Sequence, residues 1–227
     1  MSYFQEKSGW EPVKEMMGNR KILLGQFLSY QFTKTPRRVL YSMSYYKFAA
    51  KIIGSGKRVL DVGCGEGLGT WLLALECGKA KGIDMDSDAI KIAKKNSISS
   101  KISFKCENFL TTDTKKRKWD AIVIFDVIEH ILPMNMSRFF QKVTSCLNSS
   151  GVIIIGTPNI TSHQYASEIT KVGHVNIYSA DRLEEELRQY FSHVFIFGAN
   201  DEIIHTGFLP MAQYLIAISC GKCKGLL

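Results

Sequence analysis

Strands and helices alternate along this 227-residue chain, and the alternation predicts an α/β fold with a mainly parallel sheet covered on both faces. Two further observations support it. An apolar run, Arg58 to Val62, ends in a glycine-rich turn, Gly63-Cys64-Gly65-Glu66-Gly67, which opens a helical pattern. The length and the 45% apolar fraction suit one domain with a substantial core.

In chain order, strands are expected at 57–62, 79–84, 102–106, 119–126 and 152–157. Helical patterns fall at 67–77, 87–96 and 136–147, with an irregular connection near 110–117. A helix at 181–190 precedes strand candidates near 193–199 and 212–219. No helix separates those two, and Asn200 to Pro210 suits the loop of an antiparallel hairpin at the end of the sheet. The first 55 or so residues differ. Leu24–Lys34 and Val39–Ile53 are rich in aromatics, including Phe27, Tyr30, Tyr45 and Tyr46, and Pro36 separates them. They are read as a helical cap near the strand ends where open α/β sheets bind ligands, most of the aromatics serving to pack it. The chain is therefore divided into a cap, 1–55, and a core, 56–220, of one domain spanning 1–227.

The spacing of the glycines discriminates among cofactors. In a dinucleotide fingerprint, G-x-G-x-x-G, a third glycine would stand at position 68, which is Leu68. Asp61 just before the turn would repel a pyrophosphate and suits a cationic ligand, such as the amino group of S-adenosylmethionine.

Composition narrows the class further. No stretch reaches the ~18 uninterrupted apolar residues of a membrane helix, and Met1 to Trp10 lacks the apolar core of a secretory signal. Six scattered cysteines suit reduced thiols in a cytoplasmic protein. Cys220-Gly221-Lys222-Cys223 is half of a zinc pattern without partners, so no metal is expected and a frayed tail is preferred. The net charge of +8 has one dense cluster, Lys115-Lys116-Arg117-Lys118, while Lys91, Lys94 and Lys95 are assigned to a solvated helix face. Without aromatics interleaved among the basic residues, no nucleic-acid partner is expected.

Five motifs stand in order, each at a strand end: Leu60-Asp61-Val62-Gly63-Cys64-Gly65-Glu66-Gly67, Gly82-Ile83-Asp84-Met85-Asp86, Cys106-Glu107-Asn108-Phe109, Phe125-Asp126-Val127-Ile128-Glu129-His130 and Gly156-Thr157-Pro158-Asn159. Over about residues 40–200 the chain resembles the class I S-adenosylmethionine-dependent methyltransferases, and its E-H motif resembles their small-molecule O-methyltransferases. The resemblance implies a Rossmann-like, doubly wound, seven-stranded sheet whose last strand is antiparallel. It implies a donor cradle of Asp61, Gly63, Cys64, Gly65, Gly67, Asp84, Met85, Glu107, Asn108, Phe109 and Asp126. Asp84 would take the ribose hydroxyls, and Asp86 caps the next helix. Asn108 stands where many relatives carry Asp, and its amide still suits the adenine edge.

An acceptor hydroxyl calls for a general base. His130 is the first candidate and His174 the second, with Glu129 either orienting His130 or satisfying backbone donors. Tyr30, Tyr45, Tyr46, His163, Tyr165 and His205 are candidate acceptor contacts, whereas His193 faces solvent. His130, His174, His163 and His205 are all expected within reach of one pocket. The fourth-strand motif lacks the N/D-P-P-Y/F of base N-methylation. The leading expectation is therefore O-methylation of a small hydroxylated acceptor, such as a sugar or surface-glycan intermediate, which the basic charge would suit if it were phosphorylated or nucleotide-linked. The alternatives are a quinone or phenol acceptor, a non-catalytic S-adenosylmethionine-binding partner protein, and a dinucleotide oxidoreductase.

Overall fold

The strand β4 (Trp119–Phe125) shows in miniature why this chain forms a two-sided sheet. Its side chains alternate between two cores: Ile122 and Ile124 enter one, Ala121, Val123 and Phe125 the other. β5 (Leu147–Pro158) does the same, with Ile153 and Ile155 on one face and Ile154 on the opposite one. Both strands are therefore central and covered on both sides. The computed structural model describes residues 9–112 and 118–223. Most of the basic cluster, Lys115 to Arg117, lies outside them, as does most of the N-terminal segment read for a signal.

Around that centre stand β1 (Lys57–Val62), β2 (Gly78–Asp84), β3 (Ile102–Cys106), β6 (Phe191–Asn200), β7 (Ile203–His205) and β8 (Tyr214–Lys222). Among the described residues the sheet has eight strands in the order β3-β2-β1-β4-β5-β8-β6-β7. β3, β2, β1, β4 and β5 pair in parallel, while β8 runs antiparallel to both β5 and β6. The expected antiparallel last strand is present, inserted between β5 and β6. The count of seven is exceeded by β7, a three-residue strand paired with β6 inside the segment expected to be a plain hairpin loop.

One core layer is built by α6 (Met136–Cys146) and α9 (Ala180–Arg188), through Phe139, Phe140, Val143, Leu183 and Leu187. The other is built by α3 (Pro36–Ile53) and α4 (Leu68–Cys77), through Tyr45, Tyr46, Ala49, Ile53 and Leu73. α5 (Ser87–Asn96) turns Ile90 and Ala93 inward and leaves Lys91, Lys94 and Lys95 exposed. Asp86 caps it as expected, accepting from the N–H groups of Asp88 and Ala89 at 2.8 and 3.2 Å. α1 (Trp10–Met17) buries no residue, and α2 (Gln26–Lys34) buries only Gln31. The expected cap therefore divides. α3 is a layer of the core, and only α2 with the residues leading into it forms a strap.

Two boundaries differ most from the sequence reading. β5 starts at Leu147, which pairs with Trp119, and residues 148–151 bulge before Val152 resumes the register against Ala121. β8 runs through Lys222, so Cys220 is a strand residue instead of a frayed tail, and the Cys223 N–H donates to the Tyr190 carbonyl at 3.0 Å. No helix among the described residues is long and apolar enough to cross a membrane.

Candidate active site

The glycine turn takes its shape from three left-handed residues. Gly63, Gly65 and Gly67 have φ of 77°, 52° and 87°. A Cβ at Gly63 would sit 2.3 Å from Val127 Cγ2, and one at Gly67 would sit 2.5 Å from the Phe104 ring. A Cβ at Gly65 would meet nothing within 4 Å, so the turn opens onto free space there. The N–H groups of Gly63 and Cys64 both donate to the Ile83 carbonyl, and that of Gly65 donates to Asp84 Oδ2 at 2.8 Å. Asp84 Oδ1 accepts from the Asp86 N–H at 2.9 Å. A carboxylate held by two backbone donors at the second strand end is fixed in direction before any ligand arrives.

Asp61 does not present a free carboxylate to this space. It is fully buried, and its two oxygens accept from Tyr46 Oη at 3.1 Å and Thr70 Oγ1 at 2.5 Å. Burial pushes its pKa up to about 7, against the lowering effect of those two hydrogen bonds. Its place is under the turn, tying β1, α3 and α4 together. Glu107 is likewise committed, paired with Lys81 at 3.3 Å and with Lys105. Asn108 Oδ1 closes a local turn by accepting from the Leu110 N–H at 2.9 Å. Phe109 packs edge-on to Phe139 in the core, Cys64 is buried and Met85 is 68% exposed.

Asp126, at the end of β4, is open to solvent and holds φ of 54°, a left-handed conformation rare outside glycine. The chain then makes a single 3-10 turn, Ile128–His130. Glu129 points inward: it is 1% exposed, Oε2 accepts from Thr157 Oγ1 at 3.2 Å, and its carboxyl group also meets that of Asp126. Burial first, then the neighbouring Asp126 carboxylate, raise its pKa well above the usual carboxylate range.

The segment after β5 folds back onto this turn. It contains α7 (Ile160–His163) and α8 (Glu168–Gly173). The N–H groups of Val175 and Asn176 both donate to the Glu129 carbonyl, and Asn176 Nδ2 donates to the Ile128 carbonyl at 3.2 Å. His130 Nδ1 lies 2.8 Å from the Gly173 carbonyl. A carbonyl only accepts, so Nδ1 carries the proton and the neutral ring keeps its lone pair on Nε2. This stitching brings His174 edge-on to His130, with ring centroids 5.0 Å apart, and His163 stacks beyond it at 6.3 Å. Desolvation, then His130 and His163, lower the His174 pKa to about 4, so it is neutral near pH 7. The Nδ1 atoms of His163 and His174 are buried without partners among the described residues. One ligand atom from each of Glu129, His130 and His174 lies within 4.8 Å of the others, a donor set that would also suit a divalent cation.

Three of the four expected histidines thus converge, and His205 does not. Its Nδ1 accepts from the Gly207 N–H at 3.1 Å and its Nε2 lies 3.4 Å from Asn200 Nδ2, within the β6–β7 hairpin. His193 is exposed, as expected. The tyrosines also divide. Tyr46 is spent on Asp61, while Tyr45 stacks on Tyr214 at 4.7 Å and donates its hydroxyl to the Asp201 carbonyl at 2.8 Å. Tyr30 and Tyr165 are exposed. Sequence reasoning assigned no role to Glu66, Thr157 or Tyr214. The first two stood inside recognised motifs. The buried hydroxyl of Tyr214, directed at Asp126, had no sequence signal, because β8 reaches the site only through the sheet order.

A parallel sheet with a reversed strand, a left-handed glycine turn at the first strand end and acids at the next ones define a methyltransferase-type domain. Residues 53–194 match the family described as "Methyltransferase domain", and the chain belongs to it. Among curated proteins it is 26% identical over 172 residues to the mitochondrial ubiquinone biosynthesis O-methyltransferase of Arabidopsis thaliana, covering 74% of this chain and 49% of that one. It is 33% identical over 119 residues to the ubiquinone biosynthesis O-methyltransferase of Glaesserella parasuis, covering 48% and 49%. The chain thus spans about half the length of these relatives. Among solved structures it is similar in fold to the N-methyltransferase NodS of Bradyrhizobium japonicum in complex with S-adenosyl-L-homocysteine, with a TM-score of 0.64, 18% identity and coverage of 86% and 91%. A SAM-dependent methyltransferase of Archaeoglobus fulgidus gives a TM-score of 0.66 at 19% identity, covering 87% and 99%.

Proposed function

We propose that this protein is an S-adenosylmethionine-dependent O-methyltransferase acting on a small hydroxylated acceptor, a phenol of the quinone-precursor type. The observation that carries the reading is the convergence of Glu129, His130 and His174 at the β4 end, on the strand next to the glycine turn of β1. The open space at Gly65 and the fixed Asp84 carboxylate fit the donor. Bound there, S-adenosylmethionine supplies a methyl on positive sulfur, and in-line transfer to the acceptor oxygen leaves S-adenosylhomocysteine.

The chain's own residues have then to align the acceptor and take one proton. His130 does so through Nε2, the Gly173 carbonyl holding the tautomer. His174, neutral and short of a partner, hydrogen-bonds the acceptor. Buried Glu129 anchors the turn through its backbone carbonyl and Thr157. Relatives named for ubiquinone biosynthesis favour the phenolic acceptor over the sugar.

The test is S-adenosylhomocysteine formation with a catechol and with a sugar acceptor. His130→Ala should lower kcat/KM for the catechol roughly 100-fold and leave donor affinity unchanged. Undiminished turnover overturns the base assignment. Preferred turnover of the sugar returns the acceptor to the carbohydrate class. Loss of activity on chelation, restored by a divalent cation, reassigns Glu129, His130 and His174 as metal ligands.

A further inference from the structure

Glu66 lies inside the donor turn, is only 8% exposed, and its carboxylate belongs to another element altogether. Oε2 accepts from the Gly25 N–H at 2.6 Å, and Oε1 accepts from the N–H groups of Phe27 and Leu28 at 3.0 and 3.2 Å. These are the N-cap and first-turn donors of α2, which no intrahelical carbonyl can satisfy and which Gly25, lacking a side chain, leaves uncapped. An acid from the glycine turn supplies the cap from about 40 residues away in sequence and also meets the positive end of the helix dipole. The fit is close: a Cβ at residue 25 would lie 2.6 Å from Glu66 Cδ.

A second clasp holds the same strap. Asn96, at the end of α5, accepts from the Leu23 N–H at 2.9 Å and donates to the Leu23 carbonyl at 2.8 Å, while Arg20 Nη2 donates to the Asn96 carbonyl at 3.3 Å. α2 has almost no apolar anchor. Gln31 is its one buried residue, and Phe27, Tyr30 and Phe32 are 63%, 54% and 48% exposed. Polar clasps, and not a core, therefore fix the strap in place. Only Thr35 separates it from α3, which carries the Tyr46 that hydrogen-bonds Asp61.

We propose that Glu66 is a positioning residue that makes the α2 strap and the donor turn one unit, so that the strap's attachment sets how tightly S-adenosylmethionine is held. It rests on the donor reading above. A ligand on the glycine turn rigidifies the segment that carries Glu66, and through it the strap. Conversely, a released strap leaves the turn's Glu66 uncompensated and the donor less enclosed.

The experiment is calorimetry with S-adenosylmethionine and S-adenosylhomocysteine on Glu66→Ala, Asn96→Ala and the double variant, with tryptic cleavage at Arg20, Lys21 and Lys34 as a second readout. Each single variant should weaken both ligands roughly tenfold, about 1.4 kcal/mol. The double variant should be little worse than either, because both release the same strap. Donor should protect the three tryptic sites in wild type and fail to do so in the variants. Glu66→Asp should recover part of the affinity. Because α2 buries so little, the donor-free melting temperature should barely move. Affinity unchanged in the single variants overturns the proposal. So does a loss confined to Glu66→Ala, which would mean that Glu66 touches the donor directly. Wild-type protein that binds neither ligand overturns the donor reading, and the coupling with it.

Discussion

At the scale of single residues the buried Asp61 has a consequence measurable without any substrate. Its folded pKa, about 7, lies above the ordinary carboxylate value, so between roughly pH 4 and 7 the folded chain binds a proton that the unfolded chain does not. Stability from this group is therefore fully present below the unfolded value and is lost as pH rises through the folded one. Asp61→Asn removes that dependence. Its stability relative to wild type, followed by urea denaturation, should grow from pH 4 to pH 7 by up to about 1.4 kcal/mol per pH unit. A gap that shrinks with rising pH would mean that Tyr46 and Thr70 stabilise the ionised form by more than burial costs it. The sequence made Asp61 visible as an acid before a glycine turn, but not its orientation. Direction depends on which neighbours carry hydroxyls, and Tyr46 and Thr70 come from two different helices.

At the scale of elements, legibility followed locality. Strand positions and the cap at Asp86 were readable because each depends on residues a few places apart. His174 meeting His130 was readable only as a possibility, since the 44-residue gap is closed by two backbone hydrogen bonds to the Glu129 carbonyl and one from the Asn176 amide to the Ile128 carbonyl, and nothing local in the sequence pairs those residues. β7 was missed because three residues make too short a pattern, and the committed hydroxyls of Tyr45 and Tyr46 because alternation says nothing about partners. The helices can be weighed by what they bury. α6 places Phe139, Phe140 and Val143 in the same core, with Phe140 fully buried against Phe139 and Tyr190. Phe140→Ala should cost about 3–5 kcal/mol in chemical denaturation, the transfer term plus an unfilled cavity. A cost below about 1 kcal/mol would show that α6 collapses onto the sheet.

For the whole molecule, the sheet order makes the end of the described chain central and its beginning peripheral. Among the described residues β8 is the one strand joining the parallel half of the sheet, which ends at β5, to the β6–β7 hairpin. It contributes Leu215 and Ala217 to one core and Ile216 and Ile218 to the other, so both cores stay open until it is in place. Truncation before Tyr214 would leave two long unpaired edges and an uncovered apolar surface on each face. Such a chain should retain helical far-ultraviolet dichroism, lose its near-ultraviolet signal, bind a hydrophobic dye and aggregate. Removal of everything through Gly18 deletes α1, which buries nothing, and should leave the melting temperature within about 2 °C of the full chain, since none of the described residues it removes enters a core. The pair is informative together. A cooperative melt in the chain lacking β8 would mean that the parallel half is an autonomous folding unit to which the site-forming loops are later added. Failure of only that truncation places assembly of the Glu129–His130–His174 cluster, whose loop leaves the end of β5 where Pro158 pairs with Tyr214 of β8, within the same cooperative transition as the sheet itself.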